Sequence, residues 1–272
     1  MASSIVFYDI PSSLPDKAWS PNTWKTRCAT SIWPDVQSAD SKTLTMVPDG
    51  RYALNFKGLS YRTVWLEYPE IEPKLREMGA APTRNKPDGR PHYTLPLIHD
   101  LSTGVVIAES SRIAAYLDAT YPDTPRLMPE GTIGFHFAFE DAALALLPPI
   151  WKYAIPASCA KLNPVSEAYF RPTREATFGV AMKDMMPTGE ADVVEWQKVK
   201  NSFGKMDGWI RDNSEGSVYL MGDAPCYADL WMAAYVIWIK LVLPEKFEDL
   251  KSWHDGRWAK LAENMAKYET IV

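Results

Sequence analysis

Histidine is scarce. The four in 272 residues stand apart at positions 92, 99, 136 and 254, with no carboxylate cluster around them, so a metal centre is not expected. Cysteine is scarcer still. Cys28, Cys159 and Cys226 form no CxxC, which argues against a disulfide framework or a zinc site and fits reduced thiols in a cytoplasmic compartment. There is no glycine-rich phosphate loop. Positive charge is not in excess: 29 Lys+Arg against 34 Asp+Glu leave a net charge of −5, whereas non-specific nucleic-acid binding needs a basic footprint. The longest apolar run, Leu230–Ile239, is half the roughly 20 residues that span a bilayer. The first basic residue is Lys17, so the opening lacks the charged n-region of a signal peptide. With 46% apolar and 23% charged residues, disorder, collagen and coiled-coil readings fall away. Aromatic residues are abundant: 11 Trp, 13 Tyr and 9 Phe suffice for a large core or an aromatic pocket.

Two halves read differently. Ile5–Ile10 is a short apolar strand, and Tyr61–Glu67 is rich in β-formers. Tyr93–Ile98 and Gly104–Ala108 predict a hairpin turning at Asp100–Thr103. Ser110 opens a helix with Ile113, Tyr116 and Leu117 on one face and Pro122 beyond its end. After about residue 130 the spacing is helical over Phe135–Leu147, Glu190–Arg211, Ala228–Val242 and Asp249–Tyr268. Tyr121–Gly131, with three prolines, is the natural linker. The expected organisation is an α/β half over residues 1–120 followed by an all-α half over 130–272.

Two places carry chemistry. In Ser20-Pro21-Asn22-Thr23, serine is a good N-cap and proline suits N1, so Ser20 is expected at a helix N-terminus. The plain reading is a cap. The functional one is that free N–H groups and the macrodipole stabilise an anion there, and a hydroxyl can donate to a thiolate. None of the chain's own cysteines is placed to serve, so the thiol would come from a ligand. The second place is Thr94-Leu95-Pro96 with Glu109-Ser110. Pro96 inside a strand-like run marks either an edge strand or a cis peptide, and an open backbone at Leu95 can pair with a ligand's peptide group. Ser110 as an N-cap would favour a carboxylate, and Glu109 would favour an ammonium beside it, although capping alone explains both.

Together these features resemble a family. A strand, a serine at a helix start, then x-L-P-L-I, Glu-Ser and Ile-x-x-Tyr-Leu, followed by helices and G-D-A-P-C-Y-A-D-L at 222–230, resemble a glutathione transferase. More narrowly, F-Y-D-I-P (7–11), W-S-P-N-T-W-K-T-R (19–27), E-Y-P-E-I-E-P (67–73) and Y-T-L-P-L-I (93–98) resemble the fungal A-type class related to bacterial glutathione-dependent β-etherases. The resemblance implies a thioredoxin-like N-terminal domain that binds glutathione and an all-α C-terminal domain that supplies a hydrophobic substrate site. It implies Ser20 as the hydroxyl on the glutathione sulfur, with Asn22 as a second donor. Leu95 would pair with the cysteinyl unit, Pro96 would be a cis-proline, and Glu109 and Ser110 would hold the γ-glutamyl end. His92 and Lys57 are candidates for the glycine carboxylate. Helix 135–147 and the aromatics of 148–153 would line the second site. The implied protein is a cytoplasmic, homodimeric detoxification enzyme that uses glutathione as co-substrate and no metal. It would conjugate hydrophobic aromatic electrophiles or cleave their ethers. The rival reading is a non-catalytic carrier of phenolic compounds.

Two departures qualify this. Cys226 stands where the family-like motif has a small hydroxyl cap, so that helix start is expected to be less well held. A buried, inert thiol is the plain reading of Cys226, a redox role the alternative. Residues Cys28–Arg51 also interrupt the first helix: W-S-P-N-T-W-K-T-R would otherwise run into Y-A-L-N-F-K-G-L. Deleting these 24 residues puts Trp24, Tyr52 and Phe56 in helical register with Gly58 as the stop. The segment reads as an insertion, either an in-frame retained intron or a gene-model artefact, with an arginine at each edge. If it disrupts the helix, the chain would be inactive.

Overall fold

The computed structural model describes residues 4–26, 52–86, 88–213 and 216–266, so the 28–51 insertion lies outside the described residues. The α/β half has the elements β1 (Ile5–Asp9), α1 (Pro21–Trp24), α2 (Tyr52–Phe56), β2 (Tyr61–Trp65), α3 (Tyr68–Glu77), β3 (Arg84–Asn85), β4 (Pro91–His92), β5 (Leu97–Asp100), β6 (Val105–Ala108) and α4 (Ser110–Thr120). Strands β2, β1, β5 and β6 form one sheet in that order, with β1 parallel to β2 and antiparallel to β5. β1 is buried along its whole length, as its unbroken apolar run requires of a central strand.

The first helix is described on both sides of the interruption. The Leu54 N–H donates to the Thr26 carbonyl at 3.2 Å, the bond of two residues four apart in a helix if 28–51 is taken out. Trp24, Ala53 and Leu54 are all buried. At the far end, Gly58 adopts φ +67°, its N–H donates to Asn55 and that of Leu59 to Leu54, a Schellman stop.

The run Tyr93–Ile98 is not one strand. The Leu95–Pro96 peptide is cis, and β5 begins only after it. β5 lies between β1 and β6, so Leu95 belongs to a loop entering an inner strand and not to an edge strand. The expected hairpin is present, with its turn at 101–104, one residue later than Asp100–Thr103. Buried Asp100 accepts from the N–H and Oγ of Ser102 and from the hydroxyls of Tyr116 and Tyr121, tying the turn to α4.

The helical half contains α5 (Ile133–Leu144), α6 (Pro148–Cys159), α7 (Pro164–Phe178), a 3₁₀ turn (Met182–Asp184), α8 (Glu190–Asn213), α9 (Tyr227–Val242), α10 (Pro244–Ser252) and α11 (Arg257–Ala266). The expected helix over 135–147 ends at Leu144, and α6 leaves it at 77°. The expected helix over 249–268 is two, because His254, Asp255 and Gly256 all take positive φ and reverse the chain; Tyr268 lies outside the described residues. Helices α3, α6 and α7 were not foreseen. Each carries an interior proline, Pro73, Pro156 and Pro172, a residue that ordinarily breaks a helix. Almost all of α9 is buried, and it is the central post of a core shared by both halves.

The linker is docked. Asp118 accepts from the N–H groups of Leu127 and Met128, Lys57 donates to Asp118 at 2.7 Å and to the Pro125 carbonyl, and the Tyr227 N–H donates to Leu127.

Candidate active site

Strand register gathers the predicted segments. Tyr8 of β1 faces Leu97 of β5, which faces Ala108 of β6. The end of β1, the Leu95–Pro96 approach to β5 and Glu109 just past β6 therefore share one end of the sheet. Because β1 and β2 are parallel, the helix between them runs back along the sheet, and its N-terminus returns to that same end.

Ser20 is the N-cap of α1, extended at φ −71°, ψ 126°, with Pro21 at N1. Its carbonyl accepts from the Trp24 N–H and Thr23 Oγ1, but its own hydroxyl makes no capping bond. Asn22 is exposed and accepts from Lys25 Nζ at 3.3 Å. Leu95's backbone N–H and C=O have no hydrogen-bond partner among the described residues.

At the third segment the N-cap is Glu109, not Ser110, which is the first helical residue. Glu109 has φ +71°, a conformation that costs a non-glycine residue about 1–3 kcal/mol and is concentrated at functional sites. Its carboxylate accepts from Arg112 Nε at 2.6 Å. Ser110 is buried, with Oγ 3.0 Å from the Tyr227 hydroxyl.

The two carboxylate-binding candidates fare differently. Lys57 is closed off, its ammonium buried against Asp118 and Pro125, so it does not face a ligand. His92 accepts at Nδ1 from Arg84 Nε at 3.0 Å. Burial first, then the cations Arg84, Lys86 and Arg174, push its pKa below the ordinary value, so it meets an anion as a neutral ring.

Sequence reasoning missed Lys25, Glu140, Tyr227 and Trp231. Lys25 is 2% exposed and donates to Glu140 Oε1 at 3.1 Å. Glu140 also accepts from Trp231 Nε1 at 3.1 Å, and its Oε2 is 3.3 Å from the Tyr227 hydroxyl. Lys25 is the C-cap of α1, and its partner Glu140 is 115 residues away, so no local pattern in the sequence marks the pair.

Comparison with known proteins decides the family. The Glutathione S-transferase, N-terminal domain family matches residues 50–120, and the Glutathione S-transferase, C-terminal domain family matches residues 134–268. A glutathione S-transferase of Ceriporiopsis subvermispora, crystallised with glutathione, is 42% identical over 99% of both chains, with a TM-score of 0.85. The chain belongs to the glutathione S-transferase family. It is also similar to glutathione transferase GSTFuA3 from Phanerochaete chrysosporium, at 39% identity over 99% of both chains and a TM-score of 0.85. The glutathione S-transferase-like protein ustS of Aspergillus flavus is 28% identical, over 95% of this chain and 88% of that one.

In this transferase the expected lining of the second site is divided. Tyr153 of α6 is core: it is fully buried and donates to the Asp192 carbonyl. Trp151 is half-buried against Phe178, Phe139 packs edge-on against Trp209 and Trp231, and Phe135 is 75% exposed. A recess of about 320 Å³ between α8 and α10, lined by Asp192, Trp196, Lys246 and Trp253, includes none of the predicted site residues.

The helix start at Cys226 is held chiefly by the Asp229 carboxylate. Asp229 accepts from the Cys226 N–H at 2.9 Å and from the Leu220 N–H at 2.7 Å, while the cysteine sulfur takes the reciprocal place in a capping box. Burial, with Asp229 beside it, pushes the Cys226 thiol up, away from the thiolate a redox nucleophile needs.

Proposed function

We propose that this transferase binds glutathione across the end of the sheet and activates its thiol with the Ser20 hydroxyl. Leu95, before cis-Pro96, offers to the cysteinyl unit a backbone that has no partner among the described residues, Glu109 and Ser110 take the γ-glutamyl end, and Asn22 is a second donor near the sulfur. The carrying observation is the meeting of these three sequence-distant segments at one sheet end, around a serine whose hydroxyl makes no capping bond. Two relatives crystallised with glutathione, at 42% and 37% identity, support the choice of ligand.

If the helix start lowers a thiol pKa from about 8.5 to about 6.5, the thiolate fraction at pH 7 rises from roughly 3% to roughly 75%. The thiolate then attacks a hydrophobic aromatic electrophile, forming a thioether or displacing a phenol from an aryl ether. Exposed apolar residues of α5, Phe135 on one flank and Ile133 and Leu144 on the other, support assembly as a homodimer. Buried, free Cys159 and Cys226 agree with a cytoplasmic setting.

The test is Ser20→Ala. Turnover of an activated aryl electrophile should fall by 10²-fold or more, in the range of losing a donor to a developing charge, while the variant is still retained by immobilised glutathione. An unchanged rate refutes the role of Ser20. Tight binding of a planar phenolic by the unaltered protein with no glutathione consumed points instead to a carrier.

A further inference from the structure

One buried chain of polar contacts joins the two arms of the site. Lys25 Nζ bonds Asn22 at one end and Glu140 Oε1 at 3.1 Å, lying 5.0 Å and 5.2 Å from the ring centroids of Trp231 and Tyr235. Glu140 Oε2 is 3.3 Å from the Tyr227 hydroxyl, which is 3.0 Å from Ser110 Oγ. The chain thus passes from α1 through α5 and α9 to the start of α4, crossing between the halves twice.

Lysine and glutamate are rarely buried, and removing both from water costs so much that apolar residues of similar size serve stability as well or better. What the ion pair adds is direction. Apolar packing permits sliding, whereas these hydrogen bonds fix four helices at set spacings. We propose that Glu140 is a positioning residue of the transferase site: through Lys25 it sets the helix start that carries Ser20, and through Tyr227 it sets Ser110, so the sulfur end and the amino-acid end of the ligand are held at a matched distance. This rests on the site reading given above and extends it to residues that touch no ligand.

The test separates the arms in the full-length protein, with glutathione and an activated aryl electrophile. Tyr227→Phe cuts only the Ser110 arm and should raise the glutathione KM about tenfold while changing kcat little. Lys25→Met cuts only the Ser20 arm and should lower kcat about tenfold and raise the pKa of the bound thiol, read from its ultraviolet thiolate absorption. Glu140→Gln should do both. Because each charge variant leaves its partner without its counter-charge, the double variant Lys25→Met/Glu140→Gln is made as well. It should recover the melting temperature without recovering turnover. If the double variant recovers both, or if all variants move only the melting temperature, the network is structural and the positioning role is wrong. If the unaltered protein neither binds nor consumes glutathione, the site reading itself fails and this inference with it.

Discussion

Removal of residues 28–51 is the most informative perturbation of this chain. Thr26 and Leu54 already stand in the relation of residues four apart in one helix, joined by a 3.2 Å backbone bond. Joining Arg27 directly to Tyr52 makes that relation covalent and leaves the buried Trp24, Ala53 and Leu54 where they are. Closing a chain of about 25 residues between two fixed ends costs roughly 3 kcal/mol, from (3/2)RT ln n. If the segment contributes nothing else, its removal stabilises the protein by about that much. For a chain of this size, at about 2–4 °C per kcal/mol, the melting temperature rises by about 6–12 °C. Differential scanning calorimetry and urea unfolding read this directly. The register supplies a control. Removing 27–51 instead shortens the helix by one further residue and rotates everything after the join by about 100°, which carries Leu54 off the core face. That variant should be less stable than the full chain. The reasoning is refuted if the 28–51 deletion melts at or below the full chain, or if both deletions behave alike. Transcript sequencing is an independent check on whether the message uniformly encodes the segment.

Other outcomes follow from single contacts. Cys226→Ser places a better cap against the Asp229 N–H, replaces the thiol that donates to the Asp229 carboxylate with a stronger hydroxyl donor, leaves that carboxylate's bonds from the Cys226 and Leu220 N–H groups in place, and should raise stability by about 1 kcal/mol in urea titration. At Asp100 burial raises the pKa, but donors from Ser102, Tyr121 and Tyr116 outweigh it and leave the carboxyl below its usual value. Its folded pKa is depressed, so its contribution is present above the unfolded pKa of about 3.9 and is lost as pH falls through the folded value. Tyr121→Phe should therefore cost roughly 1.5–3 kcal/mol at pH 7 and clearly less near pH 3, by urea unfolding at both. Phe135→Asp should shift a dimer to monomer in sedimentation, and unchanged mass would show that α5 does not carry the interface.

Legibility in the sequence followed a physical divide. Features written in local chemistry were readable: Pro21 after Ser20, Gly58 as a stop, the turn at 101–104, and a proline placed so that only a few backbone conformations suit it. Helices α3 and α7 were hidden because interior proline is a sound reason to end a helix, and only tertiary packing, such as Tyr68 against Tyr169 and Phe170, overrides it. The cap at Glu109 was misplaced by one residue because serine is the better cap on propensity, whereas the structure puts a glutamate at positive φ there. Lys57 and Lys25 look alike in sequence, one lysine near the end of each helical piece. Their partners, Asp118 and Glu140, lie 61 and 115 residues away, and no local pattern announces such pairings.

Those distant pairs explain how the two halves act as one body around the site. Lys25 reaches across to Glu140, Lys57 and Asp118 clamp the linker, and Glu67 at the start of α3 accepts from Asn163 and Ser166 at the start of α7. All three seams run through carboxylates in buried or half-buried positions. An apolar seam would be as stable and would tolerate many relative orientations; a seam of directed bonds tolerates few. The sheet end that gathers Ser20, Leu95 and Glu109 is built within the first half, but two neighbouring residues connect to helices of the second, Ser110 directly to Tyr227 and Asn22 by way of Lys25 and Glu140. On the site proposed above, geometry is set by the joint between the halves as much as by the sheet, and a change at that joint would reach the chemistry without touching any residue proposed to contact the ligand.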